Sequence, residues 1–229
     1  MKVSLIIPCF NENKNLQFLF VKLKKILENN LFEVIIVDNG SKDKSLSTIK
    51  KYKLKYENLK YIKLKENEGY GNGILSGLNI ATGDFMAWTH ADMQCDPQDI
   101  LKGINLIKKG KNNIFIKGIR HGRNINDRFF TFGMSIFCSL ILGTFLWDIN
   151  AQPTIFHKSL FNKWKNPPKD FSLDLYAYYQ AKKLNYKIKR IPVKFSKRLH
   201  GISNWNTDFN SKFKFIKRTI SFTIKLPNQ

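Results

Sequence analysis

The segment "HADMQCDP", residues 90–97, gathers side chains that can bind a metal ion. His90, Asp92 and Gln94 are spaced two residues apart, directly after the short apolar run "FMAW". Oxygen ligands at positions i and i+2 of a loop can hold one Mg²⁺ or Mn²⁺, while phosphate oxygens and water complete its coordination. The same spacing also fits acids that cap a helix, because Pro97 is typical of a first helical turn. The spacing alone leaves both interpretations open.

Apolar runs alternate with amphipathic segments through the first half of the chain. The runs "VSLIIP", "FEVIIVD", "FMAW" and "NIFIKGIR" are typical of strands that are buried on both faces, and "LKYIKLKEN" indicates a further strand. The segment after "FNENK" has its apolar residues at helical spacing. Strands and helices in this order predict an α/β fold with a mainly parallel central sheet flanked by helices.

The polar residues of this pattern fall where the predicted strands end. In an open parallel sheet, ligands bind beyond the carboxyl ends of the strands. Five segments follow the strands: residues 8–12, 38–41, 67–71, 90–96 and 120–123. Acids from three different strands are therefore expected to meet at one edge of the sheet, with basic groups nearby.

The chain is strongly basic, with 39 lysines and arginines against 17 acids and a formal charge of +22 over 229 residues. Such an excess favours anionic partners, although an AT-rich coding bias toward Lys, Asn, Ile and Phe would produce it too. Hydrophobic residues make up 43% and charged residues 24%, which excludes a disordered chain. Nucleic acid is not predicted as a partner, because no zinc finger, aromatic sheet signature or arginine-rich helix is present.

The cysteines exclude a disulfide framework. Cys9, Cys95 and Cys138 are odd in number, far apart and in no CxxC pair, which fits a reducing compartment. The apolar run at residues 3–9 lacks a small-residue cleavage site, so it predicts a first strand rather than a signal peptide.

Four motifs occur in order on successive predicted strand ends: "IIPCFNE", "IIVDNGSKD", "NEGYGNG…GLNIATGD" and "HADMQCDP". This set resembles the family 2 glycosyltransferases with the GT-A fold, most closely the polyprenyl-phosphate hexose transferases of the dolichol-phosphate mannose synthase type. The resemblance continues through "DINAQPTIFHK" and "KRLHGIS" and covers roughly residues 2–205. It implies a GT-A catalytic domain over residues 1–204. Residues 205–229 form a basic amphipathic tail, expected to be a membrane-proximal helical appendage.

The resemblance assigns a nucleotide-binding role to the first two strand ends. Pro8, Phe10 and Glu12 in "PCFNE" correspond to the start of the nucleotide site. Asp38 is expected to accept hydrogen bonds from the nucleobase or ribose. Asn39 replaces a second aspartate that is commoner in the family.

The resemblance also implies which residues contact the diphosphate and the metal ion. Asp92 and Gln94 match the family's "DADxQ" motif, which implies a Mg²⁺ or Mn²⁺ cofactor. His90 stands for the first acid of that motif. Imidazole suits Mn²⁺ better than Mg²⁺, so either Asp92 and Gln94 carry the ion alone or manganese is preferred. Arg198 corresponds to the arginine that reaches the diphosphate, and Ser203 keeps the pattern beside it.

The implied reaction is metal-dependent, inverting transfer of a hexose from a UDP- or GDP-type nucleotide sugar. The leaving diphosphate gathers negative charge, which a metal ion and a guanidinium neutralise in the transition state. This makes Asp92 and Arg198 candidate catalytic residues. The favoured acceptor is a polyprenyl phosphate or another lipid-linked substrate, because an ionised phosphate needs no general base.

Two alternatives remain open. In the first, the acceptor is a sugar hydroxyl in surface-polysaccharide assembly, and Asp174 is the candidate general base; Asp174 could equally cap a helix or lie on its surface. Residues 152–154, "QPT", replace the "GFR" of phosphate-using relatives, which counts against a lipid phosphate. In the second alternative, the chain is a catalytically silent nucleotide-sugar or membrane-binding module, an interpretation that His90 and Asn204 keep open.

Residues 129–147 carry no charge, and their length just reaches that of a spanning helix, which needs about 20 apolar residues. Motifs on both sides of this segment belong to one domain, so an interfacial helix or hairpin is expected, with a spanning or buried helix as alternatives. The tail interleaves phenylalanines with lysines, which suits an anionic membrane surface. The predicted location is the cytoplasmic face of the membrane, peripheral or monotopic.

Overall fold

The computed structural model describes residues 1–107, 112–123, 125–201 and 209–228. Its centre is a seven-stranded sheet with the strand order β3-β2-β1-β4-β6-β5-β7. The strands are β1 (Val3–Cys9), β2 (Phe32–Asp38), β3 (Leu59–Lys63), β4 (Phe85–Trp88), β5 (Ile114–His121), β6 (Thr154–His157) and β7 (Lys187–Lys194).

Helices cover both faces of this sheet. They are α1 (Asn13–Leu27), α2 (Ser45–Lys53), α3 (Tyr70–Ile80), α4 (Asp99–Ile107), α5 (Ile125–Leu142), α6 (Lys158–Phe161), α7 (Leu173–Lys183) and α8 (Phe209–Lys225), followed by a 3₁₀ turn at Leu226–Asn228. The prediction that Pro97 begins a helix was wrong by two residues. The Asp96 side chain accepts a hydrogen bond from the backbone of Gln98, at 3.0 Å, which forms a turn ahead of α4.

The sheet is mainly parallel, as predicted, with one reversed strand. Strands β1 to β4 pair in parallel, and β7 runs parallel to β5, but β6 lies antiparallel between β4 and β5. Its first residue, Thr154, pairs with Trp88 on one side and with Lys117 on the other. Because β6 is antiparallel, its beginning lies where β4 and β5 approach their carboxyl ends.

Two apolar layers enclose the sheet. One layer includes α1 and α4, with Leu16, Leu19 and Ile104 buried against the strands. The other includes α3 and α7, with Ile74 and Leu173 packed on the opposite face. Both faces are therefore covered, which explains the continuous apolar runs of the central strands.

The uncharged segment 129–147 is only partly helical. Helix α5 ends at Leu142, and Gly143 adopts a left-handed φ of +60°. One side of the segment packs inward through Cys138 and Leu142, whereas Phe129 and Leu140 on the other side are 68% and 76% exposed. Within the described ranges, no helix combines the length and the apolar character that crossing a membrane requires.

Helix α8 packs against α5. The Phe130 and Phe215 ring centroids lie 6.3 Å apart, and the Cys138 Sγ lies 3.5 Å from the Thr223 hydroxyl. The tail is therefore helical over residues 209–225, and this helix packs against the uncharged segment. Cys9, Cys95 and Cys138 are buried free thiols.

Candidate active site

A pocket of about 710 Å³ opens at the edge of the sheet where the parallel strands end. Nine of the residues that the sequence indicated lie on its wall: Pro8, Phe10, Glu12, Asn39, His90, Asp92, Gln94, Asp174 and Arg198. Ser203 and Asn204 lie outside the described residues. The predicted convergence of strand ends is thus present in the structure.

Glu12 and Asn11 shape the first strand end. Asn11 has a left-handed φ of +55°, which turns the chain between β1 and α1. The Glu12 carboxylate accepts hydrogen bonds from Asn15 and, at 2.8 Å, from the Arg198 guanidinium. Burial raises the pKa of Glu12, while its hydrogen bond to Asn15 and the charge of Arg198 oppose that rise.

Asp38 and Asn39 have different positions at the second strand end. Asp38 is fully buried: its Oδ1 accepts a hydrogen bond from the Ser41 backbone at 3.1 Å, and its Oδ2 has no partner within the described residues. Asn39 lines the pocket and donates to Asn67 at 3.0 Å and to the Gly69 carbonyl at 2.9 Å. The predicted contact of Asp38 with a nucleobase or ribose therefore stays a prediction, whereas Asn39 holds the start of α3.

The motif that was predicted to bind a metal ion forms a compact loop. Met93, between Asp92 and Gln94, has a left-handed φ of +62°, and the Gln94 backbone donates to Asp92 Oδ1 at 3.1 Å. His90 stacks on Tyr70, with ring centroids 5.1 Å apart. This backbone is strained for a residue other than glycine, a condition found preferentially at functional sites.

The residues of this loop fit a divalent cation that shares its coordination with phosphate. Within the described ranges, no three side chains of His, Cys, Asp and Glu come close enough to enclose an ion by themselves. The oxygens of Asp92 and Gln94 and the imidazole of His90 can supply part of a coordination sphere. Such a sparse set suits an ion bound together with a diphosphate.

Arg198 lies between two carboxylates. Its guanidinium contacts Glu12 at 2.8 Å and Asp92 Oδ2 at 3.4 Å. The loop that carries it is tied to the metal-binding loop, because the Ser196 backbone N–H donates to the Gln94 carbonyl at 2.8 Å. The predicted diphosphate arginine and the predicted metal ligands therefore meet at one point of the pocket.

A second group of basic residues, the arginine cluster of Arg120, Arg123 and Arg218, also lines the pocket. Arg120 is held by Asp148, which accepts from its Nε at 2.8 Å and from its backbone N–H at 2.8 Å. Burial alone would raise the pKa of Asp148, but the charge and hydrogen bonds of Arg120 lower it. Burial, together with the like charge of Arg120, lowers the pKa of Arg123. An anion placed here would relieve that repulsion.

Arg218 brings helix α8 to the pocket. Its guanidinium lies 3.3 Å from the Asp170 carboxylate, 5.5 Å from the Phe171 ring centroid and 5.3 Å from that of Phe215. Phe171 in turn stacks on Tyr70 at 4.6 Å. The arginine cluster is therefore bordered by aromatic rings, a combination of positive charge and apolar surface.

Asp174 lies at the floor of the pocket. Its Oδ1 accepts hydrogen bonds from Gln152 at 2.8 Å, Lys117 at 3.1 Å and the Trp88 indole at 3.3 Å. Asp174 is only 1% exposed, and the cap position of α7 is Ser172. The interpretation of Asp174 as a helix cap or surface acid was therefore wrong. A role as general base stays a prediction.

Two pocket residues or partners, Lys117 and Arg218, were missed in the sequence. Arg120 and Arg123 belong to the predicted strand end at residues 120–123, but no individual role was predicted for them. Lys117 is a charged residue within an otherwise apolar run, so its position offered a signal. Arg218 gave no signal, because only tertiary packing brings α8 to the pocket.

Comparison with known proteins identifies the family. A model of glycosyl transferase family 2 matches residues 4–163. The chain belongs to glycosyl transferase family 2. Its fold is that of the GT-A glycosyltransferases, so the resemblance seen in the motifs is confirmed. The match ends before Asp174, Arg198 and α8.

Curated relatives within this family match about half of the chain. A dolichol-phosphate mannosyltransferase of Pyrococcus furiosus is 34% identical over 112 residues, which are 49% of this chain and 32% of that protein. An uncharacterized glycosyltransferase of Bacillus subtilis is 26% identical over 117 residues, 50% of this chain and 36% of that protein. The chain thus matches only about a third of the length of these relatives.

Solved structures share the fold of this family 2 chain. Glucosyl-3-phosphoglycerate synthase from Mycobacterium tuberculosis, in complex with UDP, has a TM-score of 0.74 at 13% identity, covering 98% of this chain and 79% of that one. A mannosyltransferase from Pyrobaculum calidifontis, in complex with GDP-Man and Mn²⁺, has a TM-score of 0.65 at 16% identity, covering 98% and 69%. At these identities the likeness shows the fold alone.

Proposed function

We propose that this family 2 chain is a divalent-metal-dependent, inverting glycosyltransferase. It transfers a hexose from a UDP- or GDP-sugar to a polyprenyl phosphate or another lipid-linked acceptor, at the cytoplasmic face of the membrane. The observation that carries the proposal is the mixed lining of the pocket. Asp92 and Arg198 lie 3.4 Å apart on its wall, and the arginine cluster, bordered by aromatic rings, lines the same pocket.

The surroundings of Asp92 suit the diphosphate of a nucleotide sugar. Asp92, with Gln94 and His90, would hold the cation, which when bound neutralises charge on the leaving diphosphate. The Arg198 guanidinium, 3.4 Å from Asp92 Oδ2, is placed to donate to the same diphosphate. Donor complexes of the Pyrobaculum calidifontis mannosyltransferase with Mn²⁺ support this assignment by analogy.

The arginine cluster suits an ionised acceptor. Arg123 can attract a phosphate, and the rings of Phe171 and Phe215 offer apolar surface for the chain attached to it. A phosphate oxygen would form the new bond to the anomeric carbon as the bond to the diphosphate breaks. Because the phosphate is already ionised near neutral pH, this step needs no general base.

Surface features support attachment to a membrane. Phe129, Leu140 and Phe145 of the segment 129–147 are exposed. Lys214 and Lys217 on the adjoining helix α8 are also exposed. Apolar side chains beside basic ones favour an anionic lipid surface.

A second candidate acceptor is a sugar hydroxyl. It is favoured by Asp174, a carboxylate at the pocket floor that could take the proton of such a nucleophile. Gln152, from the segment that replaces "GFR", binds this carboxylate, so the departure from phosphate-using relatives belongs to the same cluster.

Transfer of label into lipid tests the proposal. The purified chain is incubated with radiolabelled UDP-glucose or GDP-mannose, with MnCl₂ or MgCl₂, and with vesicles containing undecaprenyl phosphate. We expect label in the organic phase, lost in excess EDTA. Label that reaches only soluble oligosaccharides would favour the hydroxyl acceptor, and full transfer in EDTA would contradict the metal assignment.

A further inference from the structure

The pocket floor contains a buried ion pair that the reaction outlined above does not use. Lys117 of β5 and Asp174 of α7 have side chains that are 0% and 2% exposed, and their Nζ and Oδ1 atoms lie 3.1 Å apart. Apolar side chains of similar volume often give a protein equal or greater stability than such a pair. Stability is therefore a weak explanation for two charges at this depth.

The pair belongs to a network centred on one carboxylate oxygen. Lys117 also donates to the Thr154 hydroxyl at 2.9 Å, and Thr154 lies 3.2 Å from the amide oxygen of Gln152. Gln152 and Trp88 donate to the same Oδ1 as Lys117 does. Burial lowers the pKa of Lys117, while the charge of Asp174 opposes that change.

These contacts fix the direction of the Asp174 carboxylate. All three hydrogen bonds end on Oδ1, so a ligand would share Oδ2 with the nearby Tyr70 hydroxyl, whose pKa is raised by burial and by the Asp174 carboxylate. Asp174 and Tyr70 both line the pocket, and Gln152 also donates to the Tyr70 hydroxyl at 3.2 Å. The floor thus presents an oriented hydrogen-bond acceptor next to an aromatic ring.

The position of this floor selects a neutral ligand. Trp88, which contacts Asp174, is two residues before His90, and Tyr70 stacks on both His90 and Phe171. The floor is therefore connected through Tyr70 to His90 and to Phe171, the ring that Arg218 contacts. The Lys117–Asp174 pair has no net charge and so adds no attraction for a phosphate, whereas the carboxylate can accept hydrogen bonds from the hydroxyl groups of a sugar.

We propose that Asp174 accepts hydrogen bonds from hydroxyl groups of the donor's sugar, and that Lys117 is the residue that positions it. This inference rests on the proposed function, because it requires a nucleotide-sugar donor. It assigns sugar selection to the Lys117–Asp174 pair and leaves nucleotide recognition to other residues of the pocket wall.

Binding in the absence of acceptor tests this assignment. Calorimetry in MnCl₂ compares UDP with UDP-glucose and GDP with GDP-mannose, for the unaltered chain, Asp174→Asn and Lys117→Met. In both variants we expect the Kd of the nucleotide sugar to rise about tenfold relative to that of the nucleoside diphosphate, since a hydrogen bond to a charged group is lost or misdirected. The Kd of the nucleoside diphosphate itself should stay unchanged.

A double variant and a matched control separate this effect from damage to the fold. Lys117→Met with Asp174→Asn removes both charges, so it should fold where either single variant fails and should show the same altered ratio. Glu33→Gln with Lys60→Met removes another ion pair with a buried carboxylate, 2.8 Å between its charged atoms, that does not line the pocket. In this control, the Kd of the nucleotide sugar relative to that of the nucleoside diphosphate should be unchanged.

Monodeoxy analogues provide a test on the unaltered chain. Removal of the one sugar hydroxyl that contacts Asp174 should weaken binding about tenfold. Equal affinity for every monodeoxy analogue, or an unchanged ratio in the double variant, would overturn the inference and leave the proposed function standing. Failure to bind any of the four nucleotides would overturn both. Unchanged donor binding with lost transfer to a sugar hydroxyl would instead identify Asp174 as a base.

Discussion

The N-terminal half, residues 1–107, and the C-terminal half, residues 112–228, build the pocket in different ways. In the N-terminal half, the residues on the wall lie at the carboxyl ends of parallel strands or in the loops and first helical turns that follow them, so neighbouring positions in sequence are neighbours in the site. In the C-terminal half, the pocket contacts join distant positions, such as Lys117 with Asp174 and Arg218 with Asp170. The proposed metal site and most of the proposed nucleotide contacts thus come from short motifs, whereas the proposed contacts with the donor's sugar and with the acceptor depend on tertiary packing.

The largest expected effect concerns Asp92 in the N-terminal half. Asp92→Asn removes a charge from the proposed cation site, so donor turnover should fall by about 10²–10³-fold, the range for a lost electrostatic group in a transition state. Turnover and the melting temperature are measured together. Asp96→Asn is the matched control, because Asp96 is in the same loop but pairs with Lys22 outside the pocket, at 3.0 Å. Equal losses in both variants would contradict the metal role of Asp92.

A smaller loss is expected for Arg198→Lys. This residue comes from the C-terminal half but contacts Glu12 and Asp92, so it tests how sharply the two halves divide. Lysine cannot reproduce the planar fork that binds a diphosphate, and kcat/KM for the donor should fall by about ten- to a hundredfold. Lys197→Arg, at an exposed neighbouring position, is the control. An unchanged rate would show that Arg198 does not reach the diphosphate.

Arg123→Gln should affect the acceptor and not the donor. Loss of one guanidinium from the arginine cluster should raise KM for undecaprenyl phosphate about tenfold, while the Kd of the nucleotide stays unchanged. Lys194→Gln removes an equal charge from an exposed position outside the pocket wall and should change neither value. If the nucleotide affinity fell instead, the assignment of the arginine cluster to the acceptor would be wrong.

The smallest expected effect is on membrane binding. Lys217→Gln removes one exposed basic side chain of α8, and a basic residue near anionic headgroups contributes about 1 kcal/mol, so vesicle affinity should fall about fivefold. Sedimentation with phosphatidylglycerol vesicles at low and high salt measures this vesicle affinity. Lys50→Gln on helix α2, also exposed, should have no effect. Equal effects of both changes would indicate attraction through net charge alone.

The same difference between the halves explains what the sequence could predict. The α/β class, the first five strands and most of the pocket wall in the N-terminal half follow from apolar runs and the residues after them. The reversal of β6 could not be predicted, because a four-residue strand carries no signal of its direction. The ion pair of Asp174 with Lys117 was also missed, since its partners are 57 residues apart. Periodicity describes local structure and contains no information on such pairing.

The reversed direction of β6 has a consequence for how such a site can change. The loop that follows a parallel strand of this sheet lies at the pocket. Strand β6 runs the other way, so the residues that precede it lie at the pocket and Thr154 is its first paired residue. Residues 148–152 therefore reach the floor before they are committed to strand pairing. Replacements in that stretch would alter the contacts that Asp148 makes with Arg120 and that Gln152 makes with Asp174, while the parallel pairing of β1 with β2 and β4 lies outside it. The entry of a single short strand thus connects the pocket floor with the arginine cluster.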